Sequence, residues 1–275
     1  MDKVMNGDDV DDHGQGGIDA AIQDYYGAWF DEGSRLTTRS TAGKIELLRT
    51  REIIAERLVP ESRVADVGGG TGVHSEWLAA AGHRVRLLDP VPVQVERAAE
   101  IGTFRAEVGD ARELPWPDGD VDAALLLGPL YHLASAEDRH RALAEAARVT
   151  RPGGLVFAAA IPRIVAFASA WLGDEAPDPL PPSMIELLER GTFRFDHIRS
   201  PGAHFHTAEE LIKELESAGL VECEGLEGPA GPALEVRGSE GDDLLEPALT
   251  IARRFGPVPG VRDLSNHLLA WGRVG

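Results

Sequence analysis

The sequence predicts an α/β protein: a doubly wound, mostly parallel, seven-stranded sheet, with helices ahead of it and a helical cap inserted late. Three observations carry this. Between about residue 60 and residue 161, short apolar runs alternate with stretches of helical period. A cluster of glycines follows the first of those runs directly. Two more apolar runs near the C-terminus can close the sheet. Strands alternating with helices favour parallel pairing, because each crossover has to return along the sheet.

The elements follow in order. Residues 1–17, MDKVMNGDDVDDHGQGG, are acidic and glycine-rich with almost nothing to bury, so a disordered tail is expected. Helical patterning starts at Ile18 and runs through AIQDYYGAWF. It continues in GKIELLRTREIIAERL, where Ile45, Leu48, Ile53, Ile54 and Leu58 recur at near-helical spacing. RVADVG, HRVRLLDP, FRAEVGDA, VDAALLLG and GLVFAAAI read as five strands. VHSEWLAAAG, PVQVERAAEIG and AEDRHRALAEAARV read as helices between them, with Gly82 closing the first and RPGG stopping the last.

After Ile161 the rhythm breaks. Residues from about 162 to 206 are long for a connection and read as a cap over a site. Within them SMIELLERG is a short helix, with a capping box from Ser183 and Glu186 and a stop at Gly191. TAEELIKELESAG repeats that grammar with Thr207, Glu210 and Gly219. LVECEGLEG and NHLLAWGRV are the closing strands, separated by the helix LLEPALTIARRF. Residues 18–275 thus form one domain, with residues 18–58 as N-terminal helices ahead of the sheet.

Bulk composition narrows the function. The 275 residues carry a net charge of −19, a surface that repels phosphate backbones and anionic lipid. Cys223 is the only cysteine, so neither a disulfide framework nor a cysteine metal cluster can form within one chain. No apolar run approaches the ~18 residues of a membrane span, and no signal-peptide pattern opens the chain. A cytoplasmic monomer or homodimer is expected, with no nucleic-acid partner and no membrane association.

The glycines pose the chemical question. In VADVGGGTG, Gly68, Gly70 and Gly72 form G-x-G-x-G between a strand and a helix. Glycine there lets backbone approach a ligand at the carboxyl edge of a parallel sheet. Dinucleotides and S-adenosylmethionine are both held this way, although the dinucleotide fingerprint is spaced G-x-G-x-x-G. Asp89 at the end of the second strand suits a ribose diol in either case.

Further motifs separate the two. After VADVGGGTG come LLDP, GDARELPWPDGDVD, LLLGPLYHL and RPGG, in that order. Over roughly residues 40–275 the chain resembles the class I S-adenosylmethionine-dependent methyltransferases, whose Rossmann-like fold carries five such motifs at this spacing. The resemblance implies S-adenosylmethionine as cofactor and S-adenosylhomocysteine as product. It implies that Asp66 and the glycines Gly68, Gly70 and Gly72 hold the methionine part. Asp89, with Pro90 beside it, takes the ribose. Asp110 accepts from the adenine amino group while the Ala111 amide meets the ring. Leu127 and Gly128 border the amino end of the cofactor.

Methyl transfer from a sulfonium needs alignment and desolvation, with a base where the acceptor is a phenol, an alcohol, a protonated amine or an acidic carbon. His132, in GPLYHL after the fourth strand, is the leading candidate; the alternative is that it only holds its loop. His204 and His206 alternate across Phe205 and would face one side of an extended segment, as pocket lining or as a base. No third ligand is evident from spacing, so no metal is expected. The resemblance implies that the N-terminal helices, residues 18–58, form a lid over the cofactor, which makes Tyr25, Tyr26 and Trp29 candidates to cover the pocket; Tyr131 is a candidate to shape it, and Arg163, like Arg35 and Arg39, to hold an acceptor carboxylate. His74 and Trp116 are weaker candidates near the two ends of the cofactor.

Enzymes of this family that methylate exocyclic amines of nucleic-acid bases carry Asn/Asp-Pro-Pro-aromatic where this chain has GPLY. The expected acceptor is therefore a small molecule, methylated on oxygen, nitrogen or carbon, with secondary metabolism as one setting. The alternative is a cofactor-binding member of the fold that does not methylate, either a binding module or a catalyst of rearrangement.

Overall fold

The structure is a computed structural model. It describes residues 15–29, 32–170, 179, 181–192, 203–216 and 221–275. In chain order the helices are α1 (Gln15–Asp24), α2 (Glu32–Ser34), α3 (Thr41–Ala55), α4 (Val73–Ala80), α5 (Pro92–Ile101), α6 (Ala136–Val149), α7 (Arg163–Ala170), α8 (Pro182–Arg190), α9 (Ala208–Leu215), α10 (Gly231–Arg237) and α11 (Leu245–Phe255). The strands are β1 (Arg63–Val67), β2 (Arg84–Asp89), β3 (Arg105–Val108), β4 (Val121–Leu126), β5 (Thr150–Ala160), β6 (Val221–Gly225) and β7 (Leu268–Arg273).

One seven-stranded sheet runs in the order β3-β2-β1-β4-β5-β7-β6. The first five strands are parallel, and β7 is antiparallel to both β5 and β6. The central strands are buried on both faces, which explains why they read as unbroken apolar runs. One face, with Ala65, Ala124, Leu126 and Val156, packs against α6 and α9; the other, with Val64, Leu125 and Phe157, packs against α3 and α4. Between β1 and β4 the strand order reverses direction, and the crevice outside the carboxyl ends there is where such sheets bind ligands.

Local details depart from the sequence expectations in three places. Helix α1 begins at Gln15, inside the stretch expected to be tail; residues 1–14 lie outside the described residues. The capping box expected from Ser183 does not form. Pro182 takes the first helical position instead, and its fixed φ starts the helix without a side-chain cap. Strand β5 starts at Thr150, four residues before the expected run, and its pairing with β4 shifts register between Val121 and Ala123. The second capping box, Thr207 with Glu210, forms as expected. The region expected as a cap contains α7 and α8; residues 171–178, 180 and 193–202 of it lie outside the described residues, as does Gly219.

Candidate active site

The glycine turn forms one wall of a cavity of about 360 Å³ at the carboxyl edge of β1, β2 and β4. Gly68 and Gly70 have φ of +72° and +55°, a region side chains avoid, and a Cβ on Gly70 would meet nothing within 4 Å. The backbone is thus bare toward the cavity, as a closely held ligand requires. The Gly68 amide donates to Leu88 O (2.7 Å), tying the turn to β2.

Two carboxylates stand behind this wall. Asp89 accepts from Gly70 N and Val91 N, both at 2.9 Å, on different oxygens. Each oxygen keeps a lone pair for a further donor, which is what a vicinal diol offers. Burial raises the pKa of Asp89, against those two amides. Asp66 is fully buried and accepts from Ser75 Oγ at 2.6 Å; burial raises its pKa to about 6.

The next wall carries Asp110, Ala111 and Arg112. Arg112 donates from its backbone N and Nε to Asp110 Oδ1, and from Nε and Nη2 to Oδ2, at 2.5–3.0 Å. Asp110 is held ionised by these bonds although burial opposes them. Arg112 also reaches Asp19 of α1 (3.4 Å) and Asp138 of α6 (3.6 Å).

Leu127, Gly128, Pro129, Tyr131 and His132 line the side beyond β4. The N-terminal segment covers this side. Gln15 donates to His132 O (3.0 Å) and accepts from Ala134 N (3.1 Å). Gln23 donates to Pro90 O, and Gln94 of α5 donates to Tyr26 O. The Tyr26 hydroxyl lies 3.1 Å from His132 Nε2. Arg35, Glu46 and Thr50 complete the lining, with Arg35 forked onto both oxygens of Glu46 at 2.6 and 2.8 Å. Behind Glu46, His267 lies 3.3 Å away and binds Glu227 at 2.6 Å.

The structure gathers Asp66, Gly68, Gly70, Asp89, Pro90, Asp110, Ala111, Leu127, Gly128, Tyr26, Tyr131 and His132 around this one cavity, together with His74. Other candidates lie elsewhere. Gly72 caps the start of α4, and Tyr25 packs edge-on against Tyr26. The Trp29 side chain lies outside the described residues. Arg163 is buried under the loop before α9, donating to the carbonyls of Leu188, Glu189 and Phe205 and to Glu210. Its guanidinium is committed to holding α7, α8 and α9 together. Trp116 is packed in the core, its Nε1 donating to Glu107.

His204 and His206 face one side, as alternation predicts, with ring centroids 4.5 Å apart. They do not line the cavity. Helix α9 supplies the third group that spacing did not reveal: Glu214 Oε2 lies 3.2 Å from His206 Nε2. Arg139 donates to both oxygens of Glu214. Burial and the His206 ring push the pKa of His204 down to about 3, so it is neutral.

Sequence reasoning missed Gln15, Asp19, Gln23 and Gln94: the first three are unremarkable polar residues of α1, and Gln94 is a polar residue of α5 that the fold buries. Arg112 was legible in principle, two residues after Asp110 in the third motif.

Comparison with known proteins now names the fold. A family profile described as a methyltransferase domain matches residues 65–158. The ubiquinone biosynthesis O-methyltransferase of Methylobacterium sp. (strain 4-46) is 30% identical over 210 residues, 70% of this chain and 77% of that protein. The 27-O-demethylrifamycin SV methyltransferase of Amycolatopsis mediterranei (strain S699) is 33% identical over 142 residues, 47% of this chain and 48% of that protein. Several other curated relatives match over less than half of their length. A solved S-adenosylmethionine-dependent methyltransferase from Mesorhizobium loti superposes with a TM-score of 0.56 at 20% identity, over 81% of this chain and 96% of that one.

The chain belongs to the class I S-adenosylmethionine-dependent methyltransferase family. Its cofactor is S-adenosylmethionine. Among the described residues no helix is long and apolar enough to cross a membrane.

Proposed function

We propose that the chain transfers a methyl group to a small organic acceptor held beside His132, under an N-terminal lid. The observation that carries this reading is the Tyr26–His132 contact at 3.1 Å, which closes the cavity with a titratable pair. S-adenosylmethionine supplies the methyl group as a sulfonium.

The chain's residues divide the remaining work. Asp89 accepts from the ribose hydroxyls on its two spare lone pairs, and the bare backbone at Gly68 and Gly70 admits the methionine part. Asp110 and Ala111 face the adenine, with Arg112 fixing the orientation of the Asp110 carboxylate. His132 Nε2 takes the acceptor proton, and the Tyr26 hydroxyl orients the ring until the acceptor arrives. Gln15 and Gln23 fasten the lid to the loops after β4 and β2, excluding water from the reacting centre. Two of the curated relatives, by name, act in ubiquinone biosynthesis and on a rifamycin, which supports a small organic acceptor here.

The test is a turnover screen with S-adenosylmethionine and panels of phenols, alcohols, amines and acidic-carbon compounds, read by release of S-adenosylhomocysteine. Turnover on one small-molecule panel supports the reading. Methylation of protein or RNA with no small-molecule turnover overturns it.

A further inference from the structure

At the opposite edge of the sheet, the amino ends of β1, β2 and β3 carry four arginines. Arg63 pairs in register with Arg84, and Arg86 with Arg105. Residues paired across parallel strands share a face, and so do residues two apart on one strand. Arg63, Arg84, Arg86 and Arg105 therefore all project from one face. They line a shallow groove of about 570 Å³, together with His83, Thr103 and Phe104.

The charge balance in this groove is uneven. Asp122 binds Arg63 and Arg151, and Asp120 binds Arg86. Arg84 and Arg105 are both exposed, and among the described residues neither has a carboxylate within 4.0 Å. Glu107, on the same face as Arg105, is occupied by the Trp116 indole N–H. His83 adds no charge at neutral pH, since burial lowers its pKa. In a chain of net charge −19, two unneutralised guanidinium groups beside two neutralised ones are a local inversion of sign.

Guanidinium groups match phosphoryl oxygens with paired N–H donors, and Thr103, which also lines the groove, carries a hydroxyl. We propose that this groove is a second binding site, one that takes a compact phosphoryl anion, either pyrophosphate-like or the phosphate end of a phosphorylated small molecule. Four arginines, two of them already balanced, match a small multivalent anion. The site is separate from methyl transfer. Arg84 and Asp89 stand at opposite ends of β2, roughly 16 Å apart at the strand's rise per residue. That exceeds the screening length of about 10 Å at 0.1 M salt.

The experiment is calorimetric titration of the full chain with inorganic pyrophosphate at fixed ionic strength, beside glycerol phosphate and a heparin fragment. The expected result is one saturable pyrophosphate site, weakened at least tenfold in Arg84→Ala/Arg105→Ala and unchanged in Arg237→Ala. Glycerol phosphate binding tighter than pyrophosphate assigns the site to a phosphomonoester; the reverse assigns it to a free polyphosphate. S-adenosylmethionine titration of the same variants reports folding, and its affinity is expected to be unchanged. Arg84→Gln/Arg105→Gln repeats the test with bulk retained. Absence of a saturable site, pyrophosphate binding at parental strength in both double variants, or heparin binding without pyrophosphate binding overturns the proposal. Joint loss of both ligands in both double variants also overturns it, since the groove would then act only through the fold.

Discussion

Tyr26 and His132 are 106 positions apart in the chain, yet the tyrosine hydroxyl lies 3.1 Å from His132 Nε2. Their rings meet edge-on, with centroids 5.6 Å apart. The contact joins the N-terminal segment to the loop after β4, and both residues line the same cavity. A second fastening, from Gln15 to the His132 carbonyl, holds the backbone of the same residue.

If His132 takes the acceptor proton, its loss removes general-base catalysis, worth about 10²–10⁴-fold in rate. His132→Ala is expected to lower kcat within that range while leaving S-adenosylmethionine affinity nearly intact. Tyr26→Phe keeps the ring and removes the hydroxyl, so a smaller loss is expected, together with a shift in the pH–rate profile. Turnover by His132→Ala equal to the parent would reduce the histidine to a structural role.

The Asp89 carboxylate has one lone pair to spare on each oxygen, beyond the bonds from Gly70 and Val91. Removing it deletes two charge-assisted bonds to a ribose. Asp89→Ala is expected to weaken cofactor binding by roughly 2–4 kcal/mol. Calorimetric titration with S-adenosylhomocysteine measures this directly, and parental affinity in the variant would move the cofactor away from Asp89.

The sheet was legible because its strands are short, apolar and punctuated by glycine, and because period alone separates them from the helices. The wall of the cavity was legible for the same reason: Asp66 and Asp89 sit at the carboxyl ends of β1 and β2, and Gly70 and Asp110 just beyond β1 and β3, where sequence position and spatial position coincide. The contacts of the N-terminal segment were not. Gln15 reaches Ala134 across 119 positions, and nothing in a glutamine on a helix surface announces its partner. His204 and His206 show the other limit. Alternation gave their shared direction correctly, but what they face depends on where α9 brings Glu214.

Gly70 and Gly72 both need a left-handed backbone, at φ of +55° and +87°, but for different neighbours. A Cβ on Gly70 meets open cavity, whereas one on Gly72 would come within 2.5 Å of Phe104 Cζ. Alanine at either position costs about 1–2 kcal/mol in backbone strain. Gly72→Ala adds displacement of the Phe104 ring, so thermal unfolding is expected to show the larger loss of stability there. Gly70→Ala is expected to be the milder in stability and the worse in cofactor affinity, because its methyl group enters the space in front of the turn. The opposite ranking in either measurement would place the cofactor against a different part of the loop.

Stability should depend on pH through two histidines of opposite behaviour, His204 buried and His267 half-buried. His204 is held neutral, its pKa pushed down to about 3 by burial and by the neighbouring His206. An unfolded chain protonates it below about 6.5, so the unfolded state binds more protons between pH 3 and 6.5 and stability falls as pH drops through that window. His267 behaves in the reverse sense. Burial would lower its pKa, but Glu46 and Glu227 together raise it to about 9. Its contribution is complete below about pH 6.5 and is lost as pH rises toward 9. Asp66, raised to about 6, acts against His204 in acid but is common to every protein compared. The measurement is therefore a difference: Tm against pH for the parent, His204→Asn and His267→Asn. The gap between parent and His267→Asn is expected to narrow by several degrees from pH 6.5 to 9, as the native histidine loses its charge between the two carboxylates. The gap between parent and His204→Asn is expected to narrow as pH falls below 6.5. Gaps independent of pH would mean that neither histidine holds the protonation state its surroundings impose.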